Sequence, residues 1–376
     1  MKILVLGGYG NFGARIARAL SADPAIELLI GGRDAARAEA LATRLAHGAC
    51  GLHIDAGRPD LADQLRAQRV SLVVHAAGPF QGLDYAVAHA AAAANAHYID
   101  LADGRRFVCD FSAALDTSFR AADRSAISGA STVPALSSAV VDSLCVGWPE
   151  IRSIDICIAP AQTAPRGEAT LAAVLSYCGA PLRVWLDGRW QLRHGWAQPE
   201  RVLFARLRPR LGSLCDIPDL ELFPALYAGV QTVMFRAALE VGIAQRGMAT
   251  LAGLRRIGLL RRPQALARHL NASARWLDGL GSSLGGMVVR VQGLDARGLE
   301  ASRAWHIAAD NDRGPEIPCM AAILLARRLA RGESLPTGAH PCTGLLSLGD
   351  FEPEFARWGM LTDVLEEGGG DGTRPT

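Results

Sequence analysis

The chain of 376 residues has one lysine, Lys2; every other member of its 39 Lys and Arg is arginine. Lys2 stands at the head of an apolar run, so no lysine is free to form a Schiff base, act as a general acid or clamp a phosphate loop. The Tyr-x-x-x-Lys pair of short-chain dehydrogenases and the G-x-x-x-x-G-K-[ST] loop are therefore excluded. No two of the eight cysteines stand at C-x-x-C spacing, which argues against a zinc site or a redox dithiol and fits reduced thiols used as small core residues. No run reaches the roughly 18 apolar residues of a membrane span. Met1 leads directly into an apolar strand, without the features of a secretory signal. The expectation is a cytoplasmic protein, peripheral to a membrane at most. The formal net charge of +2 gives no general attraction to nucleic acid, and no nucleic-acid partner is expected.

What is present is an ordinary globular composition, 50% hydrophobic and 20% charged, in a chain long enough for two domains. The first 130 residues or so alternate strand-like and helix-like segments, the pattern of a parallel α/β sheet. Strands are predicted at 2–6, 27–30, 51–54, 70–75, 97–100 and 125–128, with helices at 11–22, 35–47, 59–68, 84–95 and 105–122. After the Gly129–Pro134 turn the alternation becomes irregular, with strand-like pieces at 151–158 and 184–186, as in a mixed α+β domain. The segments 217–223 and 277–286 read as loops, and 317–332 as a helix ended by glycine. The apolar run 226–239 fits either a helix of a homodimer contact or burial within one chain. The tail from Glu367 is Gly-rich and acidic, as a disordered segment would be.

Gly7-Gly8-Tyr9-Gly10-Asn11-Phe12-Gly13 follows the first strand directly, and Gly8, Gly10 and Gly13 fit G-x-G-x-x-G. Between a strand and a helix this spacing has a mechanical meaning. Gly8 permits the tight turn, Gly10 lets the backbone approach a pyrophosphate, and Gly13 allows the helix to pack on the strand. The second strand ends in Gly31-Gly32-Arg33-Asp34. A guanidinium here grips a 2′-phosphate, which favours NADP; Asp34 reading the ribose hydroxyls is the NAD alternative. Asp55 after the third strand is placed either to meet the adenine amino group or simply to start a helix. Small residues Ala76, Ala77 and Gly78 after the fourth strand would let the backbone run past ribose and nicotinamide, with Pro79 and Phe80 as a wall. His75 alone reads as a core histidine.

This set, with Tyr98-Ile99-Asp100-Leu101 and Ser131-Thr132-Val133-Pro134-Ala135-Leu136-Ser137, resembles the saccharopine dehydrogenase-like NADP-binding family over about residues 1–140. The resemblance implies a Rossmann domain, a second α+β domain for substrate or dimerisation, and a C-terminal segment that packs back on the first. The boundaries expected are 1–134, 135–305, 306–366 and a tail at 367–376. It also implies an oxidoreductase passing hydride between NADP(H) and a C=N or C=C bond of a small molecule. The absence of a second lysine and of paired arginines for an α-carboxylate speaks against saccharopine as substrate.

Hydride transfer needs position, dryness and a proton donor near the acceptor. Tyr98, Asp100 and Asp103 at the fifth strand's end are the candidate proton-handling groups; each also has a structural reading as core aromatic, turn residue or helix cap. Thr132 and Pro134 at the domain crossing, and Arg166 in the second domain, are candidate substrate contacts. No metal site is expected. Trp185, Trp190, His194 and Trp196 surround an Asp187-Gly188 hairpin turn and fit a staple to the core, or a pocket lining. Arginines punctuating the apolar residues of 251–270 form a basic stretch that reads as a solvated helix face or a lipid contact. An NADP(H)-binding redox sensor without turnover is the non-enzymatic alternative.

Overall fold

The computed structural model describes residues 1–165 and 167–367. The chain divides into two compact units, Met1–Leu136 with Pro315–Leu346, and Ser137–Gly314 with the residues from Ser347 on.

The first unit opens with β1 (Lys2–Leu6), whose Ile3, Leu4 and Val5 are fully buried, as a strand covered on both faces requires. It continues through α1 (Asn11–Ser21), β2 (Glu27–Gly32), α2 (Ala35–Ala42), β3 (Cys50–His53), α3 (Leu61–Ala67), β4 (Leu72–His75), α4 (Ala86–Ala93) and β5 (His97–Asp100). The single helix expected at 105–122 is broken at Asp110 into α5 (Arg105–Cys109) and α6 (Phe111–Ala121), before β6 (Ser125–Ser128).

The second unit begins with α7 (Ser137–Leu144) and β7 (Glu150–Ala159), followed by α8 (Glu168–Tyr177) and the hairpin β8 (Pro181–Leu186) and β9 (Arg189–His194). Asp187 and Gly188 both take positive φ, 53° and 69°, the geometry of a two-residue hairpin turn. Trp185 meets Trp190 edge-on across the hairpin, with 5.1 Å between ring centroids, and Trp196 is buried, so these side chains staple the hairpin. Next come β10 (Glu200–Val202), β11 (Arg210–Leu214), α9 (Asp219–Leu226) and β12 (Thr232–Ala237). One expectation fails here, and of the two alternatives for 226–239 burial within the chain is the one observed. The 217–223 loop is the start of α9, with Asp219 and Glu221 in its first turn, where the helix dipole favours acids. The 226–239 run is not a dimer helix: Gly229, at φ 87°, ends any helix, and the Thr-Val-Met-Phe pattern that follows makes an inner strand.

The basic stretch also departs from expectation, because it is not one helix. α10 (Gly242–Arg256) ends within it, Pro263 opens a short turn, and α11 (Ala267–Ala274) follows. The loop expected at 277–286 is a 3-10 turn to Leu280 and then the start of β13 (Gly285–Leu294), which pairs with β14 (Glu300–Ala309). The chain re-enters the first unit as α12 (Ile317–Ala330) and β15 (Gly338–Pro341), then closes the second with α13 (Leu348–Arg357) and β16 (Leu361–Glu366). The returning piece is therefore 315–346, narrower than the 306–366 expected. Residues 368–376 of the expected tail lie outside the described residues; Glu367 pairs with Arg290 at 2.6 Å.

The first sheet has seven parallel strands in the order β15-β6-β5-β4-β1-β2-β3, the doubly wound pattern. α12 packs on α1, where Arg15 and the buried Glu316 form an ion pair and Arg327 donates to the Ala19 carbonyl at 3.2 Å. The second sheet is mixed, in the order β10-β11-β12-β7-β13-β14-β16, with β12 and β7 parallel and the hairpin strand β8 attached to β12.

Candidate functional site

The carboxyl edge of the parallel sheet gathers the glycine loop, the end of β2 and the segment after β4. Two glycines of the loop are required by close contacts, and a third stands in the open. A Cβ on Gly8 would stand 2.8 Å from the Val5 carbonyl oxygen and the Ile30 side chain, and one on Gly13 only 2.2 Å from the Gly7 carbonyl oxygen. These two are fixed by the fold. Gly10 is exposed, and its Cβ would meet nothing but the Gly7 oxygen at 3.1 Å, so the space beside it opens outward, toward a ligand. α1 starts immediately after it, with Gly10 as its N-cap and no side-chain cap, so the first amides lack intrahelical acceptors. Asn11 and Phe12 are half-buried in this first turn, the Phe12 carbonyl meeting the Cys319 thiol at 3.6 Å.

At the end of β2 the two glycines have a use that spacing alone does not show. A Cβ on Gly32 would lie 2.4 Å from the ring of Tyr9; glycine there lets the Tyr9 ring lie against the strand. The Tyr9 hydroxyl accepts from the Asp34 N–H at 3.0 Å, and the Arg37 guanidinium sits over the ring, 4.6 Å from its centroid. Asp34 is the N-cap of α2, its Oδ1 accepting from the Arg37 N–H at 3.0 Å. Arg33 is exposed and, among the described residues, makes no hydrogen bond or ion pair. Two guanidinium groups thus stand at this corner with no acidic partner among the described residues, and the Oδ1 of the one carboxylate caps its own helix. Arg37 was missed in the sequence; its signal is a second arginine four residues after Arg33, one helical turn on.

Asp55 is half-buried and caps its own turn, accepting from the Gly57 N–H at 3.1 Å. Ala77 touches the glycine loop: a Cβ on Gly7 would fall 2.9 Å from both its N and its Cβ. Ala76 is half-buried, Gly78 and Pro79 are exposed, and the peptide bond between the last two is cis. Phe80 is not part of an outer wall. It is 4% exposed and packs edge-on against His75 and Phe107, holding the segment from beneath.

The three proton-handling candidates separate by burial. Tyr98 and Asp100 are completely buried, on the same face of β5 as His75 is of β4. Burial draws the His75 imidazole down to about 4, so it is neutral near pH 7, and its Nδ1 shares a hydrogen bond with the Tyr98 hydroxyl at 2.9 Å. Burial, and then the nearby Asp100 charge, pushes Tyr98 well above its ordinary value. Asp100 is pushed up to about 6 by burial, against the pull of the Gly129 and Ala102 amides and the Ser128 hydroxyl, at 2.8–3.0 Å. These groups brace the edge from within. Asp103 alone is exposed, its Oδ1 accepting from Gln81 Nε2 at 3.0 Å.

Thr132 and Pro134 are buried in the turn that leaves the sheet, and the Ala130 N–H donates to the Asp100 carbonyl at 2.8 Å. Gly129, at φ 77°, is required there, since a Cβ would lie 2.6 Å from Pro134 Cδ. Arg166 lies outside the described residues. Among the described residues no group of three His, Cys, Asp or Glu could hold a metal, and no helix is long and apolar enough to cross a membrane.

Residues 3–140 match the family described as saccharopine dehydrogenase NADP binding domain, a span that holds the glycine loop, both arginines and the segment after β4. Comparison with curated proteins finds no significant match. Among solved structures, the chain is similar to the apo saccharopine dehydrogenase (L-Glu forming) of Saccharomyces cerevisiae. That match has TM-score 0.70 at 12% identity, over 97% of this chain and 99% of that one. At such identity the likeness establishes the fold: a Rossmann-like parallel domain followed by a mixed-sheet domain. C. glutamicum DAP dehydrogenase in complex with DAP matches more loosely, with TM-score 0.47 and 13% identity over 92% of this chain and 94% of that one.

Proposed function

We propose that the chain is an oxidoreductase that binds NADP(H) along the carboxyl edge of the parallel sheet and reduces a C=N or C=C bond of a small molecule. The observation that supports the cofactor choice is the corner at the end of β2: Asp34 Oδ1 caps α2, while Arg33 and Arg37 present guanidinium groups with no acidic partner beside Tyr9. The residues suited to hold the dinucleotide are Gly8, Gly10 and Gly13 with the α1 amides for the pyrophosphate, and Arg33 and Arg37 for the 2′-phosphate. Ala76 to Pro79 suit the nicotinamide end. The open space beside Gly10 fits that assignment, because only there would a side chain obstruct a ligand rather than the fold.

When bound, NADPH would supply the hydride; the chain's part is to place the acceptor, exclude water and deliver a proton. Asp103 is the group of the three at this edge that can meet a substrate, and Gln81 fixes its carboxylate. His75, Tyr98 and Asp100 act behind it as positioning residues, joining β4, β5 and β6 at one level. The match of residues 3–140 to an NADP-binding family supports the cofactor assignment, and the reductive chemistry follows the resemblance.

The test is direct titration with NADPH and NADH. Arg33→Ala and Arg37→Ala are each expected to weaken NADPH by about 10- to 100-fold, the worth of a charge-assisted contact, and to leave NADH unchanged. Unaltered NADPH affinity in both variants would remove the 2′-phosphate clamp.

A further inference from the structure

Residues 241–277 contain seven arginines and one histidine and no aspartate or glutamate, in a chain whose formal net charge is only +2. The flanking acids are Glu240 and Asp278. Arg255 is structural, its guanidinium donating to the Ser176 and Cys178 carbonyls at 2.7 and 3.0 Å. The other six arginines are exposed and, among the described residues, have no side-chain hydrogen bond or ion pair.

Large apolar side chains stand among these cations. α10 ends in a Schellman motif: Gly258 takes φ 79°, its N–H donates to the Arg255 carbonyl at 3.0 Å, and the Leu259 N–H donates to the Leu254 carbonyl at 3.0 Å. In that motif the residue after the glycine usually packs back on the last turn. Here Leu259 is 74% exposed and Ile257 70%, held outward between Arg256 and the Arg261-Arg262 pair. Further along, Trp276 and Leu280 are 86% and 71% exposed in the turn after α11, next to Arg275.

We infer that this segment of the second unit is a docking surface for an anionic lipid bilayer. Guanidinium groups meet lipid phosphates and carboxylates, while Ile257, Leu259 and Trp276 enter the headgroup–acyl boundary, where aliphatic and indole side chains are stabilised. Charge complementarity selects this occupant over a second copy of the chain. A two-fold self-contact would press like-charged clusters together with no acid on the segment to offset them. The exposed aliphatic residues separate a bilayer from a nucleic acid, which would use the charge and leave Leu259 and Ile257 in water.

The experiment is flotation of the full chain with phosphatidylcholine vesicles, with and without phosphatidylserine. The wild type is expected to float with the anionic vesicles alone. Arg256→Gln/Arg261→Gln/Arg262→Gln should lower the partition coefficient by about a hundredfold, and Ile257→Ser/Leu259→Ser by about tenfold or more. All these side chains are exposed, so both variants should keep the wild-type melting temperature. Their NADPH affinity should also be unchanged, which keeps this surface separable from the cofactor site. No flotation at low ionic strength would overturn the inference. So would flotation indifferent to the Ile257/Leu259 change, accompanied by oligonucleotide binding that the arginine variant abolishes.

Discussion

Each unit encloses one aspartate with no exposure, Asp100 in the first and Asp219 in the second, and the two are held differently. Asp100 sits at the end of β5 and receives two backbone amides and the Ser128 hydroxyl, so burial raises it only to about 6. Asp219, at the start of α9, has the Ser137 hydroxyl as its side-chain donor, at 2.5 Å, and burial carries it to about 7. The donors differ although burial is equally complete, and in both burial raises the carboxyl. A strand end feeding a loop offers free amides to a carboxylate, and Asp100 uses them to tie β5, β6 and the exit turn together. Asp219 joins the first residue of α7 to the first of α9 through one hydroxyl, a weaker counterweight to desolvation.

The sharpest way to break the first unit's edge is Gly13→Ala. Its Cβ would lie 2.2 Å from the Gly7 oxygen, so the loop must shift. We expect a stability loss of about 1–3 kcal/mol from overpacking, and NADPH affinity lowered on the order of a hundredfold by displacement of the loop. Thermal melts and titration separate the two effects; wild-type affinity would show that the loop geometry does not govern binding.

The next effect concerns the second unit. Asp219 has a raised folded pKa, so between about 4 and about 7 the folded state holds a proton that the unfolded state has released. Its contribution therefore falls as pH rises through that window, by a few kcal/mol in order of magnitude. Asp219→Asn should match the wild type at or below about pH 4 and be the more stable at pH 8, measured by urea unfolding. Identical pH profiles would mean that Asp219 is ionised in the folded protein. Asp100→Asn sharpens the comparison less cleanly, because its donors would also lose a charged acceptor.

The smallest expected effect is that of Asp34→Ala. Losing the N-cap should cost about 1 kcal/mol of stability and leave NADPH affinity unchanged. A loss of NADH binding in this variant would return Asp34 to the ribose and favour NAD.

The glycine loop was legible because each of its requirements is local: a turn, a close approach and a helix start fall within seven residues. β1 was legible for a related reason, as a short apolar run buried on both faces. α9 and β12 were not. Their apolar stretch runs through Leu226, Tyr227 and Val230, and only Gly229 and the pairing of β12 with β7 divide helix from strand. The same limit applies at the site. Arg33 could be picked out by position, but Tyr9 lying on Gly32 and Arg37 lying on Tyr9 depend on a loop and a helix approaching one strand end.

The sequence by itself determined the parallel first sheet, the glycine-rich turn after β1 and the cationic end of β2, since these follow from neighbours along the chain. Tertiary structure alone decided which groups face outward. It buried Tyr98 and Asp100 while leaving Asp103 exposed, and it turned the Asp34 carboxylate toward its own helix. It also returned 315–346 to the first unit as a seventh strand and a helix. The physical reason is that exposure and hydrogen-bond partnership are properties of a neighbourhood, and most of these neighbours are brought in from distant parts of the chain.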